Sequence, residues 1–527
     1  MQWETRKRST LTEMNRFVYN IVQSKMPLGT EQGRISYAQS IHAESVVDLA
    51  ALGISFRQKT SVEQGTMAFL TYDLQITTPQ GKQSLKLSQD GGVLKYSLDG
   101  PQGLSGEVPL SEPVLVLDNN IWCHYQIMVD KLQLEVGNKD SFRFIVPQII
   151  FQFPQGFTMT AEVKKEELLQ VGDVFIDCYH VFAASKEANI GVNLWVDTTD
   201  HKVVRITIPT QGVEVNLWPL LTMHAKEDPR LGREVSIPGD DIVLSGTLLL
   251  PEDANPTYGL VFMHGSGSID RDGNSGILKT DLYKKLAEAA TQQGLASLRY
   301  DKRGVNTQDP GLLAHTPTQL IGDLHGAVEF LKKNTTVKQV ILVGHSEGGT
   351  LVPLAAAERD DVAGVVLMAA PARPLDEIIN HQVISAGKKM GLTEAQIEAN
   401  LLLQAQFYEA LEQGDDWIDF LGTPYYAPYF QEHFSLAPLG NITKLTMPVL
   451  ILHGEWDFQV PVEDAIALEQ ALTRTGNIQV QLVRFPQVDH LFMPSSDAFS
   501  LADYDDISRS IAPAVIDTFN EWLQTNF

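Results

Sequence analysis

Cysteine is scarce in this chain. Cys123 and Cys178 are the only two, and neither stands at a metal-ligand spacing from a partner, so neither a disulfide framework nor a cysteine metal cluster organises the fold. A single bridge between the two is left open. Long apolar runs are also missing. No stretch reaches the length of a membrane span, and the opening residues Met1-Gln2-Trp3-Glu4-Thr5-Arg6-Lys7-Arg8-Ser9-Thr10 are polar with no apolar h-region behind them. As written, the chain reads as cytoplasmic and without an integral membrane segment. Basic residues are in deficit: 40 Lys and Arg against 65 Asp and Glu leave a formal charge of −25, which repels nucleic acid and anionic membrane surfaces and argues against both as partners.

The 527 residues, 43% of them hydrophobic, exceed what one core usually organises. At ~150 residues per domain, two to four units are expected. The first 65 or so show an irregular apolar pattern, with a helix suggested around Leu11 to Gln23. From Thr66 to Trp218 short alternating runs take over, among them Phe142-Arg143-Phe144-Ile145-Val146 and Val203-Val204-Arg205-Ile206-Thr207-Ile208. Period-two alternation broken by turns such as Thr198-Thr199-Asp200 predicts an antiparallel sheet with one buried face. The hairpin from Asn193-Leu194-Trp195-Val196-Asp197 to Val203-Val204-Arg205-Ile206 is similar to the curved sheets of lipoprotein-carrier-like proteins. No nucleophile with a partner base, metal cluster or phosphate loop is found in this half, and His180 and His201 read as structural. Residues 1–228 are expected to form a β-rich domain, ending in a linker of mixed composition at 222–232.

The pattern then changes. Two strand-like runs flank the Pro238-Gly239-Asp240 turn, and further on strand, helix and strand repeat at the spacing of a mostly parallel sheet. Thr280 is placed to cap a helix carrying Leu282, Leu286, Ala289 and Ala290 on one face and ending at Gly294. About seventy residues between Met368 and Val449 are rich in helix formers, with a capping box at Thr393 and Gln396, and predict a helical cap inserted at 376–445. Its aromatic residues, among them Trp417, Phe420, Tyr425, Tyr426, Tyr429 and Phe430, either line a pocket or pack the cap. The α/β domain itself is thus expected over 229–375 and 446–527.

Within it, Val340-Ile341-Leu342-Val343 runs into Gly344-His345-Ser346-Glu347-Gly348 and then a helix-compatible stretch. Strand, glycine-flanked turn and helix are what a nucleophile elbow requires, so Ser346 is the candidate nucleophile, with Gly344 and Gly348 making room for the turn. A serine hydroxyl needs a base, and the base needs an orienting carboxylate. Downstream, Asp457 and His490 each lie just past a strand-like run, where open α/β sheets build their sites. Glu455 is a rival acid, nearer its strand, and Asp489 beside the histidine reads as surface or supporting. Transition-state charge is expected to rest on the backbone N–H groups of Ser266, in the loop His264-Gly265-Ser266-Gly267, and of Glu347.

Together with Asp270-Arg271-Asp272-Gly273 and Arg299-Tyr300-Asp301-Lys302-Arg303-Gly304, these motifs resemble bacterial α/β-hydrolase esterases of the dienelactone-hydrolase-like group over residues 233–527. The resemblance implies a serine esterase acting on small-molecule esters, in which His264, Gly265, Gly267, Asp270, Arg271, Asp301 and Arg303 shape the site. No cofactor is implied. Calcium binding by the Asp270 loop is disfavoured, because Ser275 and Asp281 stand where an EF-hand register demands glycine and glutamate. A serine peptidase, thioesterase or acyl transferase would use the same three residues, although blade-like repeats of ~40 to 50 residues, which a gating peptidase domain would show, are missing from the first half. A non-catalytic binder on the same scaffold would be expected to lack one of the three. Residues 233–527 should therefore hold everything the chemical step needs.

Overall fold

A computed structural model describes residues 15–217 and 232–527, apart from short breaks at 25, 65, 67, 80, 91, 100–102, 111, 151–152, 172–173, 252–254, 276–277, 306–313, 422 and 499. The expected linker lies almost wholly outside these residues. By contact the chain divides into Met1–Ala225 with Leu501–Ser508, and Lys226–Ser500 with Arg509–Phe527.

The first unit is a 15-stranded sheet. Two antiparallel meanders are joined where Asn15–Gln23 pairs with Val213–Leu217, and all neighbours are antiparallel except Val114–Val116 beside Lys139–Ile145. The helix suggested around Leu11 to Gln23 is instead a strand over its described part, Asn15–Gln23. Its alternating Tyr19 and Ile21 enter the core, and it pairs both with the next strand in sequence, Met26–Tyr37, and with Val213–Leu217 nearly 200 residues away, the second a pairing that no local pattern reveals. The irregular stretch after it also resolves into strands, Met26–Tyr37, Ser40–Leu49 and Ile54–Glu63.

Against the inner face lies the helix Cys123–Val129, every residue of which is buried. A helix buried all round must still satisfy its polar groups. Glu31 accepts the N–H groups of Trp122 and Cys123 at 2.8 and 3.1 Å. His124 accepts the Asp118 N–H and meets the Thr60 hydroxyl at 2.9 Å, and Gln126 joins the Val203 N–H to the His201 carbonyl. Cys123 and Cys178 are free thiols. Asp505, in the short helix Leu501–Asp505, accepts the N–H groups of Gly191 and Thr210 at 2.9 and 2.7 Å. A side chain at Gly191 would strike the Ala502 carbonyl at 2.5 Å, so this close approach requires glycine. A cut near residue 230 would strip Asp505 of both donors, which bears on the expectation that 233–527 is self-sufficient.

The second unit carries the strands β1 (Arg233–Pro238), β2 (Val243–Leu249), β3 (Tyr258–Met263), β4 (Ala296–Tyr300), β5 (Gln339–His345), β6 (Val362–Met368), β7 (Val449–Gly454) and β8 (Val480–Phe485). They lie in the order 1-2-4-3-5-6-7-8, with an antiparallel leading hairpin followed by a parallel series from β4 to β8. Alternate residues divide between two cores. Val261, Leu342, Val365 and Leu367 face one helical layer, while Leu260, Ile341, Val343 and Val366 face the other. Burial of both faces is what near-continuous apolar strands predict. Helix α1 (Leu282–Gln292) begins one residue later than expected: Asp281 is its N-cap in a left-handed conformation, and Thr280 accepts the Leu282 N–H while donating to the Gly273 carbonyl.

Helices α2 (Pro317–Asn334) and α3 (Glu347–Ala357) follow, then the insertion with α4 (Leu375–Lys389), α5 (Glu394–Leu411) and α6 (Ala427–Ser435). Thr393 and Gln396 form the capping box on α5. The insertion also contains a hairpin, Trp417–Phe420 with Thr423–Tyr426, whose sequence alternation is too short to announce itself. Phe407, Phe420, Tyr425 and Phe430 pack on one another as the insertion's own core.

Burial pushes the Glu31 carboxyl up to about 7, against the ordinary 4.5, despite its two N–H donors. A carboxyl raised on folding stabilises while protonated, and that contribution is lost as pH rises from the unfolded value through the folded one. A Glu31→Gln variant keeps the acceptor and removes the charge. Its stability relative to wild type, measured by urea unfolding, should improve by about 3 kcal/mol between pH 4.5 and 8. A difference independent of pH would contradict this account of the buried carboxyl.

Candidate active site

The residues singled out in the second half converge on the carboxyl edge of β3, β5, β7 and β8. Ser346 follows β5 with φ 54° and ψ −118°, a conformation a residue with a side chain rarely adopts. Its neighbours explain how the chain sustains it. A Cβ at Gly344 would lie 2.4 Å from the Gly348 carbonyl, and one at Gly348 would lie 2.4 Å from the Met263 carbonyl, so the strand–turn–helix closes only around glycine. The Ser346 N–H is tied to the Met368 carbonyl on β6 at 2.8 Å.

His490 and Asp457 are buried together. The His490 Nδ1–H donates to Asp457 Oδ2 at 2.7 Å, and the other carboxylate oxygen accepts the N–H groups of Gln459 and Val460, each at 2.9 Å. Burial by itself would raise the Asp457 carboxyl, but the His490 and His453 imidazoles and these donors hold it below the usual range. Committing Nδ1–H to the carboxylate leaves His490 Nε2 as the basic nitrogen. Glu455 points elsewhere, half-exposed and 3.6 Å from Arg484. Asp489 is not a surface residue: it is buried, accepts the N–H groups of Leu491 and Met493 and pairs with Arg509, bracing the loop that carries His490.

His345 links the Ser346 turn to that loop. Its Nε2–H donates to the His490 carbonyl at 3.0 Å, and burial followed by the His490 charge pushes its pKa down to about 3, so it is neutral. His264 is likewise neutral, lowered to about 4 by burial and by Lys302, and donates to the Tyr300 carbonyl at 2.6 Å. Gly265 runs directly past the serine: a Cβ there would lie 3.3 Å from the Ser346 Cβ. The following Gly267 has φ 86°. Glu347 is the first residue of α3, and an N–H at that position has no carbonyl within its own helix to bond.

The other charged residues divide into two sets. Arg271 grips Asp301 through Nε and Nη2 at 3.1 and 2.7 Å, and Asp272 pairs with Arg299. Asp270 folds its own loop by accepting the N–H groups of Asp272 and Asn274. Arg303 makes a two-pronged pair with Asp323 on α2, 2.7 Å on each side, and donates to the Asp240 carbonyl. None of these side chains bonds to Ser346, Asp457 or His490; they brace the loops beneath. Lys302, between Asp301 and Arg303, turns the opposite way. Its ammonium meets the Gly265 carbonyl at 2.8 Å and the Glu347 carboxylate at 2.7 Å. That carboxylate also accepts from Tyr429 and His433 of α6 at 2.8 and 2.6 Å. Lys302 and His433 were not singled out as site residues in the sequence. No local pattern marks either one, since Lys302 follows the end of β4 at the start of a turn and His433 lies on a separate helix.

Residues 277–412 match a family model described as serine aminopeptidase, S33, and residues 402–506 one described as the prolyl oligopeptidase family. The chain is 30% identical over 281 residues to the esterase EstD of Thermotoga maritima, covering 53% of this chain and 65% of that protein. It thus spans less than two thirds of that relative's length. Among solved structures it is similar to Est1E from Butyrivibrio proteoclasticus, with 22% identity, a TM-score of 0.39, and coverage of 56% of this chain and 98% of that one. It is also similar to a putative dienelactone hydrolase from Klebsiella pneumoniae, with 16% identity, a TM-score of 0.34, and coverage of 56% and 96%. With its 1-2-4-3-5-6-7-8 strand order and its serine turn after β5, the second unit is an α/β-hydrolase in fold, and the chain is similar to esterases of that superfamily.

Proposed function

We propose that this protein hydrolyses carboxylic esters through an acyl-enzyme on Ser346. The observation that carries the reading is the buried 2.7 Å pair between His490 and Asp457, on a loop bonded to the strained turn of Ser346 through His345. In this reading His490 Nε2 takes the Ser346 proton as Oγ attacks the ester carbonyl carbon, and Asp457 stabilises the imidazolium that results. The N–H groups of Ser266 and Glu347 receive the oxyanion. Collapse of the tetrahedral intermediate breaks the carbon–oxygen bond to the alcohol, which leaves with the proton from His490. Water, deprotonated by the same imidazole, then attacks the acyl carbon and frees Ser346. The bases and donors for both halves are supplied by the chain itself, so no metal or organic cofactor is assigned. The insertion with α4 to α6 is read as a cap over the site, favouring small to medium acyl groups.

The two family descriptions support a second reading, a serine peptidase, since the same three residues would serve amide cleavage. Graded p-nitrophenyl esters compared with aminoacyl and peptidyl anilides separate the two. An acyl transferase or thioesterase would differ only in the leaving group or in what intercepts the acyl-enzyme.

Ser346→Ala, His490→Ala and Asp457→Asn should each lower kcat on a short p-nitrophenyl ester by roughly four orders of magnitude or more without unfolding the protein, because the three act as one unit. Glu455→Gln should leave kcat within a small factor of wild type. The acid assignment is wrong if Glu455→Gln is the more damaging of the two carboxyl changes. Turnover should also survive EDTA, and chelator-sensitive activity restored by calcium would return the Asp270 loop to consideration as a metal site.

A further inference from the structure

The buried charges around Glu347 have no part in the chemistry assigned above. Glu347 and Lys302 are almost wholly buried, 2.7 Å apart. Burial alone would raise the Glu347 carboxyl, yet Lys302 and His433 hold it well below the usual range, so the carboxylate is ionised. A pair of this kind is weak evidence for stability, since desolvation offsets most of its attraction and an apolar pair of similar volume is often as good. Its position suggests a different use. Lys302 Nζ also bonds the Gly265 carbonyl at 2.8 Å. The Gly265 carbonyl and the Ser266 N–H belong to one planar trans peptide unit, in which the two groups point in opposite directions. Whatever fixes the carbonyl therefore fixes the N–H.

We propose that Lys302, held by the Glu347 carboxylate, is a positioning residue that sets the direction of the Ser266 N–H toward the oxyanion. Glu347 then serves the site twice. Its own N–H is one oxyanion donor, and its side chain, through Lys302, aims the other. Without the ammonium the 265–266 peptide is free to rotate, and a rotation that turns the carbonyl toward the site replaces a donor with an acceptor. Tyr429 and His433 hold the same carboxylate from the other side, which keeps it aligned on Lys302 rather than on solvent. This inference rests on the reading of Ser346 as nucleophile and of Ser266 as donor.

The test compares Lys302→Met, Glu347→Gln and the double variant with wild type on a short p-nitrophenyl ester, with Ser346→Ala alongside. The double variant removes both charges, so it remains informative if Lys302→Met alone leaves Glu347 buried and unpaired and fails to fold. Circular dichroism and thermal melting identify the folded variants. Removing one oxyanion donor costs about 10²- to 10³-fold in kcat, and a misaimed donor should cost part of that, roughly 10- to 100-fold, in Lys302→Met and in the double variant. KM should stay within a small factor. Affinity for a trifluoromethyl ketone, whose hemiketal oxyanion occupies the hole, should fall by the same factor as kcat/KM. A general packing defect would not produce that parallel. Glu347→Gln, which keeps an acceptor for Lys302, should lie between wild type and Lys302→Met. Wild-type kcat and inhibitor affinity in a folded Lys302→Met or double variant would overturn the proposal. If Ser346→Ala still turns over, the underlying reading fails instead, and the two failures are distinguishable.

Discussion

A serine held at φ 54° and ψ −118° is the constraint around which the second unit is arranged. Such a conformation costs on the order of 1–3 kcal/mol and persists only where the surroundings over-determine it. Here they do so from three directions. The β5 strand behind it is paired on both sides, its N–H is claimed by Met368 on β6, and the backbone at the end of β3 presses on Gly348, which in turn presses on Gly344. Each constraint also brings in a residue of the proposed site. The β3 strand delivers Gly265 and Ser266, and the β7 and β8 ends deliver Asp457 and His490. The strain and the site are thus two consequences of one strand order.

The charged residues extend this logic outward. Arg271, Arg299 and Arg303 each lock a loop at the carboxyl edge to a carboxylate on a neighbouring segment, and Arg509 does the same beneath His490. Being buried or half-buried, these pairs derive their worth from geometry rather than from Coulomb attraction alone. The chain's acidity therefore conceals two populations: carboxylates spent on internal pairing, and the surplus that sets the net charge of −25. The first unit has buried carboxylates in ion pairs too, as in Arg205–Glu214, and it also rests carboxyls on backbone N–H groups, Glu31 on its buried helix and Asp505 on Gly191 and Thr210.

What was legible in the sequence was whatever is local. The β5 elbow, the leading hairpin, the α5 capping box and the positions of Asp457 and His490 each depend on a few adjacent residues whose pattern or spacing carries the signal. The misread parts depend on distant pairings. Asn15–Gln23 is held between the adjacent Met26–Tyr37 and the distant Val213–Leu217, and Leu501–Ser508 groups with the first unit because Gly191, Asn193 and Thr210 receive it. Asp281 displaced Thr280 as the α1 cap because Asn274, from the preceding loop, accepts both of their N–H groups. Lys302 and His433 escaped notice for a related reason. A lysine amid Asp301 and Arg303 reads as one more surface charge, and the contact joining His433 to Glu347 spans 86 residues.

The account stands or falls on Ser346 being an activated nucleophile. The most direct measurement is to treat the full chain with a fluorophosphonate and map the adduct by peptide mass spectrometry, since only a serine with a working base and oxyanion site reacts at an appreciable rate. The account predicts a single stoichiometric adduct on Ser346, absent from Ser346→Ala and strongly slowed in His490→Ala. No adduct on the folded protein, or an adduct on a different residue, would contradict it.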